Sequence, residues 1–126
     1  MEALKQWLRE ISARGDVDEM GAVKKLFIHL APPCSTFSKA RDRNGRTRVR
    51  TWAQPGGIRP RSQKVRHGNK IAKACILFAK WAWQELGATV VMENPDQSYI
   101  WSYGRPFFGN RKAFKDVRLC YCMFGT

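Results

Sequence analysis

The sequence predicts a single small α/β domain whose sheet is mostly parallel. Three observations carry that expectation. Residues 25–31 and 88–93 are short apolar runs that read as strands. Between them, residues 68–86 repeat apolar side chains at helical spacing. A strand–helix–strand order of this kind is a βαβ unit, and such crossovers join parallel strands. The chain has 126 residues, 44% of them hydrophobic, which allows one domain with a modest core.

Each element has its own justification. Residues 2–14 read as an amphipathic helix, because Leu4, Trp7, Leu8 and Ile11 fall at i, i+3, i+4 and i+7, with Gly15 as a natural stop. Residues 16–22 form a polar connector, so 1–24 is an N-terminal helix and linker. The run 25–31 predicts a buried strand that ends at Pro32 and Pro33, which have no N–H to continue a ladder. Gly45, Pro55, Gly56, Gly57 and Pro60 break any periodicity through 37–62, which predicts a long loop; the basic loop as a whole spans 39–67. Ile71, Ala74, Cys75, Phe78, Ala82 and Leu86 then make one helical stripe, and Gly87 ends it. The β-branched run 88–93 predicts a second buried strand. Asn94-Pro95-Asp96 turns the chain, and 97–101 reads as a short helical turn. Residues 103–111 read as a Gly/Pro-rich loop and 114–122 as a third strand. Parallel strands place the segments after Ala31 and after Met92 on one sheet edge, where open α/β sheets bind ligands.

Composition excludes several classes. No apolar run reaches the roughly 18 residues of a membrane span, and the N-terminus lacks the apolar block of a secretory signal. The expectation is an intracellular protein, nuclear or cytoplasmic, with no membrane partner. Four cysteines are too few for a disulfide framework, and with His29 and His67 they give no metal-ligand spacing. The net charge of +13 points instead to a polyanionic partner, nucleic acid first. From Lys39 to Lys70 there are eleven basic residues and one acid, Asp42. Charge runs are often solvated faces, but Trp52 and His67 are interleaved here, and cations with rings suit phosphates and bases. Arg41, Arg43, Arg46, Arg48, Arg50, Arg59, Arg61 and Lys64 are the candidate nucleic-acid contacts.

Two side chains stand out as chemical groups. Cys34 follows Pro-Pro at a strand end and precedes small polar residues. A lone cysteine is most often a small buried hydrophobe, the natural reading of Cys75 in its helical stripe. At a sheet edge beside many cations, however, a thiol can work as a thiolate nucleophile. Glu93 closes an apolar strand, where a carboxylate is costly unless paired or poised for proton transfer. The bland alternative is a glutamate that caps the following turn.

The run Pro32-Pro33-Cys34-Ser35-Thr36-Phe37-Ser38 resembles the Pro-Pro-Cys-x-x-Phe-Ser motif of cytosine-C5 DNA methyltransferases. Glu93-Asn94-Pro95 resembles, less closely, their Glu-Asn-Val motif, and Cys122-Met123-Phe124-Gly125 is similar to a segment of a compact, divergent branch. The resemblance covers about residues 25–126. It implies a partial Rossmann-like, S-adenosylmethionine-dependent methyltransferase fold. It also implies that Cys34 attacks C6 of a cytosine flipped from DNA while Glu93 holds N3. Pro33 and Ser35 would shape the pocket floor, and Asn94 and Pro95 would fix the Glu93 turn. Ser35 and Pro95 stand where the family carries Gln and Val. No glycine-rich strand-to-turn motif precedes residue 25, so cofactor-binding residues are unassigned. That pattern implies the catalytic region of a methyltransferase: a truncated frame, a subunit whose partner chain supplies the cofactor half, or a remnant. The alternative from another class is a non-catalytic nucleic-acid-binding protein on the same scaffold. The sequence does not distinguish DNA from RNA.

Overall fold

A computed structural model describes residues 1–14, 25–43, 45–59, 62–109 and 114–119. Six elements follow one another: α1 (Glu2–Ala13), β1 (Phe27–Leu30), a short 3-10 helix (Lys39–Arg43), α2 (Gln63–Leu86), β2 (Thr89–Met92) and α3 (Ile100–Phe108). The two strands pair in parallel, with Phe27 opposite Thr89 and Leu30 opposite Met92. The expected βαβ unit is therefore present, as a mixed α/β structure with a two-stranded sheet.

Helix α2 organises the molecule. Gly87 ends it in the left-handed conformation (φ 60°, ψ 19°), which costs a glycine nothing. Its buried face is wider than the predicted stripe, since Val65, Ala72, Ile76 and Ala79 join Phe78 and Ala82. It packs against β2 on one side and α3 on another. The main cluster joins Phe37, Ala72, Tyr99 and Ile100, with Trp101 and Tyr103 packed against it. This core ties the turn after β1 to the start of α3 through α2.

Several expectations change. Both strands alternate partly buried and exposed residues rather than being buried throughout. Phe27 and His29 face outward beside Thr89 and Val91, because α2 covers one face of the sheet. Helix α2 starts at Gln63, not Gly68, so the end of the expected basic loop is helical; lysine and arginine are good helix formers. The expected loop at 103–111 is largely α3, with Pro106 inside it. Burial of Ile100 and Gly104 against the rest of the core outweighs the poor helix propensity of glycine and proline. Residues 114–119 form no strand. On α1, Leu8 is buried but Leu4 and Trp7 are exposed; Lys5 and Arg9 instead lie over the Trp81 ring, each 5.3 Å from its centre. Gly15, the connector 16–22, Pro60, Arg61, Arg111, Cys120 and the segment Cys122–Gly125 lie outside the described residues. Among the described residues, no helix is long and apolar enough to cross a membrane.

Candidate active site and nucleic-acid interface

The two motif turns leave the same edge of the sheet. The parallel ladder runs one residue past β2, where Glu93 N donates to Leu30 O at 2.9 Å. One residue later, Asn94 Nδ2 donates to Pro32 O at 2.8 Å. In this register the next backbone donor to Pro32 O would be the N–H of residue 95, and Pro95 has none, so the Asn94 side-chain amide supplies the bond instead. Asn94 Oδ1 is buried without a donor among the described residues.

Beyond Pro33 the chain folds into a tight turn. Phe37 N and Ser38 N both donate to Cys34 O, at 2.9 and 2.8 Å. Thr36 and Phe37 turn inward and are buried, while Cys34 and Ser35 stay exposed. Cys34 is a free thiol at the surface, unlike the half-buried Cys75, whose thiol is pushed up by burial. The turn is also bonded to the other motif from its far side: Tyr99 N donates to Phe37 O at 2.9 Å. Ser98 N and Trp101 Nε1 in turn donate to Pro95 O, at 2.9 and 3.0 Å. Glu93 is exposed, and Pro95 is held as an acceptor by the residues that open α3. The structure thus brings Cys34 and Glu93 to one edge and links their turns by two direct hydrogen bonds.

The basic candidates separate into different roles. Arg50 is a correction. It has no exposed surface, so it cannot reach a phosphate. Its fork donates to Thr36 O (2.9 Å), Thr36 Oγ1 (3.0 Å), Val65 O (3.4 Å), Pro55 O (2.5 Å) and Asn69 Oδ1 (2.7 Å). Five N–H groups are the whole donor inventory of a guanidinium. Its carbon also lies 3.6 Å from the centre of the Phe37 ring. Burial lowers its pKa from the ordinary arginine value to about 10, with Tyr103 opposing the shift, and the group remains a cation at neutral pH.

Arg41 braces the same turn, donating to Ser35 O at 3.0 Å and Thr47 O at 3.3 Å. Arg48 sits 3.8 Å from Asp42, whose carboxylate also accepts from the Tyr99 hydroxyl. Burial, followed by that bond, pushes the Tyr99 phenol up, so it stays a donor. Arg43, Arg46, Arg59 and Lys64 are exposed. Trp52 is 49% exposed, with its edge against Tyr99 (centroids 4.7 Å apart) and Lys39 Nζ 5.4 Å from its ring centre. A fixed, half-bare indole beside a cation is suited to stacking on a base.

Two clefts lie along the first turns of α2, one of them against the Cys34 turn. The first, about 260 Å³, is lined by Pro33, Ser35 and Thr36 from the turn and Lys64, His67, Gly68 and Ile71 from α2. The second, about 570 Å³, is lined by Gln63, Arg66, His67 and Lys70. Sequence reasoning passed over this helical face because it placed residues up to 67 in a loop. The i, i+3, i+4, i+7 spacing of Gln63, Arg66, His67 and Lys70 carries the signal.

Gly68 makes the close approach possible. A Cβ there would lie 2.6 Å from Thr36 Oγ1 and 3.3 Å from Arg50 Nη2. Gly68→Ala is expected to push the turn off α2 and cost about 1–3 kcal/mol, as overpacking does. Chemical denaturation checks the cost; a variant as stable as the parent would mean that the turn moves freely.

Compared with family models, curated proteins and solved structures, the chain matches none.

Proposed function

We infer that this chain is the catalytic region of a DNA cytosine-C5 methyltransferase and carries the cytosine-activating half of the reaction. The observation that supports this most directly is the Asn94–Pro32 hydrogen bond, which spans 62 residues and couples the carboxylate turn to the thiol turn. The exposed thiol, the exposed carboxylate and the surrounding cations supply the other requirements.

The chemistry follows from the ring. C5 of cytosine is a poor nucleophile. When the Cys34 thiolate forms a bond to C6, the C5–C6 π pair shifts to C5–C4 and the C4–N3 pair moves onto N3. Glu93 in its acid form gives its proton to N3, and the ring becomes an enamine with a nucleophilic C5. In water, C5 can take a solvent proton, lose its original hydrogen as a proton, and expel the thiolate as N3 returns its proton to Glu93. The net change is exchange of the C5 hydrogen with solvent. The ring must leave the base stack first, which is why an accessible thiol matters.

The family's methyl donor, S-adenosylmethionine, does not fit the described residues. It carries a sulfonium cation and ribose hydroxyls that call for carboxylates. Both clefts are walled by Lys64, Arg66, His67 and Lys70 and by no acid. The smaller cleft also falls below the roughly 300–1,000 Å³ of typical small-molecule sites. The proposal therefore assigns this chain no step involving the donor.

DNA carrying 5-azacytosine tests the reading without a cofactor, because nitrogen in place of C5 makes C6 more electrophilic and favours addition of the sulfur; the addition is reversible when no methyl is transferred, so the adduct is read by native mass spectrometry. The expected result is a covalent protein–DNA adduct mapped to Cys34, absent in Cys34→Ser, with DNA binding retained by that variant. Salt-sensitive DNA binding without any adduct would select the alternative, a non-catalytic nucleic-acid-binding protein. The basic, carboxylate-free clefts are the observation that favours that alternative.

A further inference from the structure

We propose that the first two turns of α2 form a phosphate track that delivers a nucleic-acid strand to the Cys34 turn, with Arg66, His67 and Lys70 as its outer contacts. This rests on the reading above for the identity of the strand's destination, but not for the existence of the track.

Gln63, Arg66, His67 and Lys70 fall on one side of α2 at i, i+3, i+4 and i+7, a span of about two turns, or about 10 Å along the axis. Together they line one cleft. His67 also lines the adjoining cleft, where Lys64 faces Pro33 and Ser35, the residues on either side of Cys34. The two clefts thus share one imidazole as a wall, and the inner one is bounded by the turn that carries the thiol.

Charge identifies the occupant. Among the described residues, no carboxylate pairs with Lys64, Arg66 or Lys70: the ion pairs there are Lys5–Glu2, Arg48–Asp42 and Arg118–Asp96. Nor does any of these three side chains lie over an aromatic ring, as Lys39 and Lys73 do. Arg66 and Lys70 are exposed, so their charge is available to a ligand, and the exposed His67 ring between them offers an N–H donor. A row of unpaired cations in a groove suits a linear polyanion with regularly spaced charges, and a phosphodiester backbone is that polymer. Placing a phosphate in the inner cleft would set its nucleotide beside Cys34, so the track supplies register as well as affinity.

The test is the salt dependence of binding to a DNA duplex, read for the unaltered chain, for the double variant Arg66→Ala/Lys70→Ala, and for Arg105→Ala on the far helix α3 as a control. Losing two phosphate contacts is expected to reduce the slope of log Kobs against log salt by about 1.8, at about 0.9 per contact. Arg105→Ala is expected to leave the slope unchanged. An unchanged slope in the double variant, a loss equal to that of the control, or no DNA binding by the unaltered chain would overturn the proposal. Thermal melts of all three proteins identify any slope change caused by unfolding; should the double variant fail to fold, Arg66→Gln and Lys70→Gln, read singly, are each expected to lose about 0.9. The 5-azacytosine adduct, measured in parallel on the unaltered chain, separates the two claims. An adduct with no slope change removes the track and leaves the catalytic reading. A reduced slope with no adduct does the reverse.

Discussion

Arg50→Ala is expected to abolish cooperative unfolding of the chain. The substitution strands Thr36 O, Thr36 Oγ1, Pro55 O and Asn69 Oδ1 and takes a second donor from Val65 O, which keeps its place in the α2 ladder; all five accept from this one fork. It also empties the volume over the Phe37 ring. A buried polar group left unpaired costs about 1–3 kcal/mol. The five losses do not add fully, because the acceptors relax together. Even so, a total on the order of 5 kcal/mol approaches the whole stability of a small domain, about 5–15 kcal/mol. Arg50→Lys keeps the charge but offers three donors on a single nitrogen, so it is expected to fold with a loss of about 2–4 kcal/mol. Urea unfolding followed by circular dichroism reads both, with exposed Arg59→Ala as a reference expected within about 0.5 kcal/mol of the parent. The pH dependence has a definite sign. The folded pKa of about 10 lies below the ordinary arginine value, so the cost of burying the cation is constant below pH about 10. Above that the unfolded chain holds more protons than the folded one, and the cost falls as pH rises. The Arg50 effect should therefore be equal at pH 6 and pH 8. Normal cooperative unfolding of Arg50→Ala would mean that the guanidinium is not the central tie of this core.

The same residue shows where sequence stops being informative. Within the basic run, Arg50 has neighbours of the same composition as Arg48 or Arg46, and nothing local marks it for burial. Its acceptors come from residues 36, 55, 65 and 69, which meet only when α2 packs against the turn after β1. Arg41 is drawn into bracing Ser35 O in the same way. Features decided by neighbouring residues were legible. The β-branched run set β2, Pro32 and Pro33 stopped β1, and Gly87 capped α2. Parallel pairing then placed Cys34 and Glu93 on one edge. Features decided by tertiary packing were not. Gly104 and Pro106 read locally as loop, yet they lie in α3. A Cβ at Gly104 would lie 2.7 Å from Ile76 Cδ1, so the glycine lets α3 sit close on α2. The outward side of the sheet was legible in part, since Phe27-Ile28-His29-Leu30 already alternates large and polar groups over a period of two. Its apolar members hid that alternation behind an apparently buried run.

The second large effect concerns Glu93. Glu93→Gln keeps the length of the side chain and removes its transferable proton. If that proton goes to N3, exchange of the cytosine C5 hydrogen with deuterated solvent is expected to fall by about 10²–10⁴, the usual contribution of a positioned acid. DNA affinity should stay within about twofold, because the surrounding cations are untouched. Asn94→Asp separates proton transfer from positioning. Its carboxylate cannot donate to Pro32 O, and it sets two acceptors against each other where the amide bonds at 2.8 Å. Glu93 itself is unchanged in that variant, but its turn loses the side-chain hydrogen bond that ties it to the thiol turn. Exchange should fall by a smaller factor than in Glu93→Gln, with a stability loss of about 1–3 kcal/mol from the unpaired carbonyl. Asn94→Ala should match Asn94→Asp in rate if the tether acts through position alone. Mass spectrometry of the recovered DNA reads all three rates. Full exchange by Glu93→Gln would remove the carboxylate from the chemistry and leave Asn94 as a purely structural tie. Full loss in both variants, with folding intact, would show that the distance between the two turns controls the reaction as strictly as the acid does.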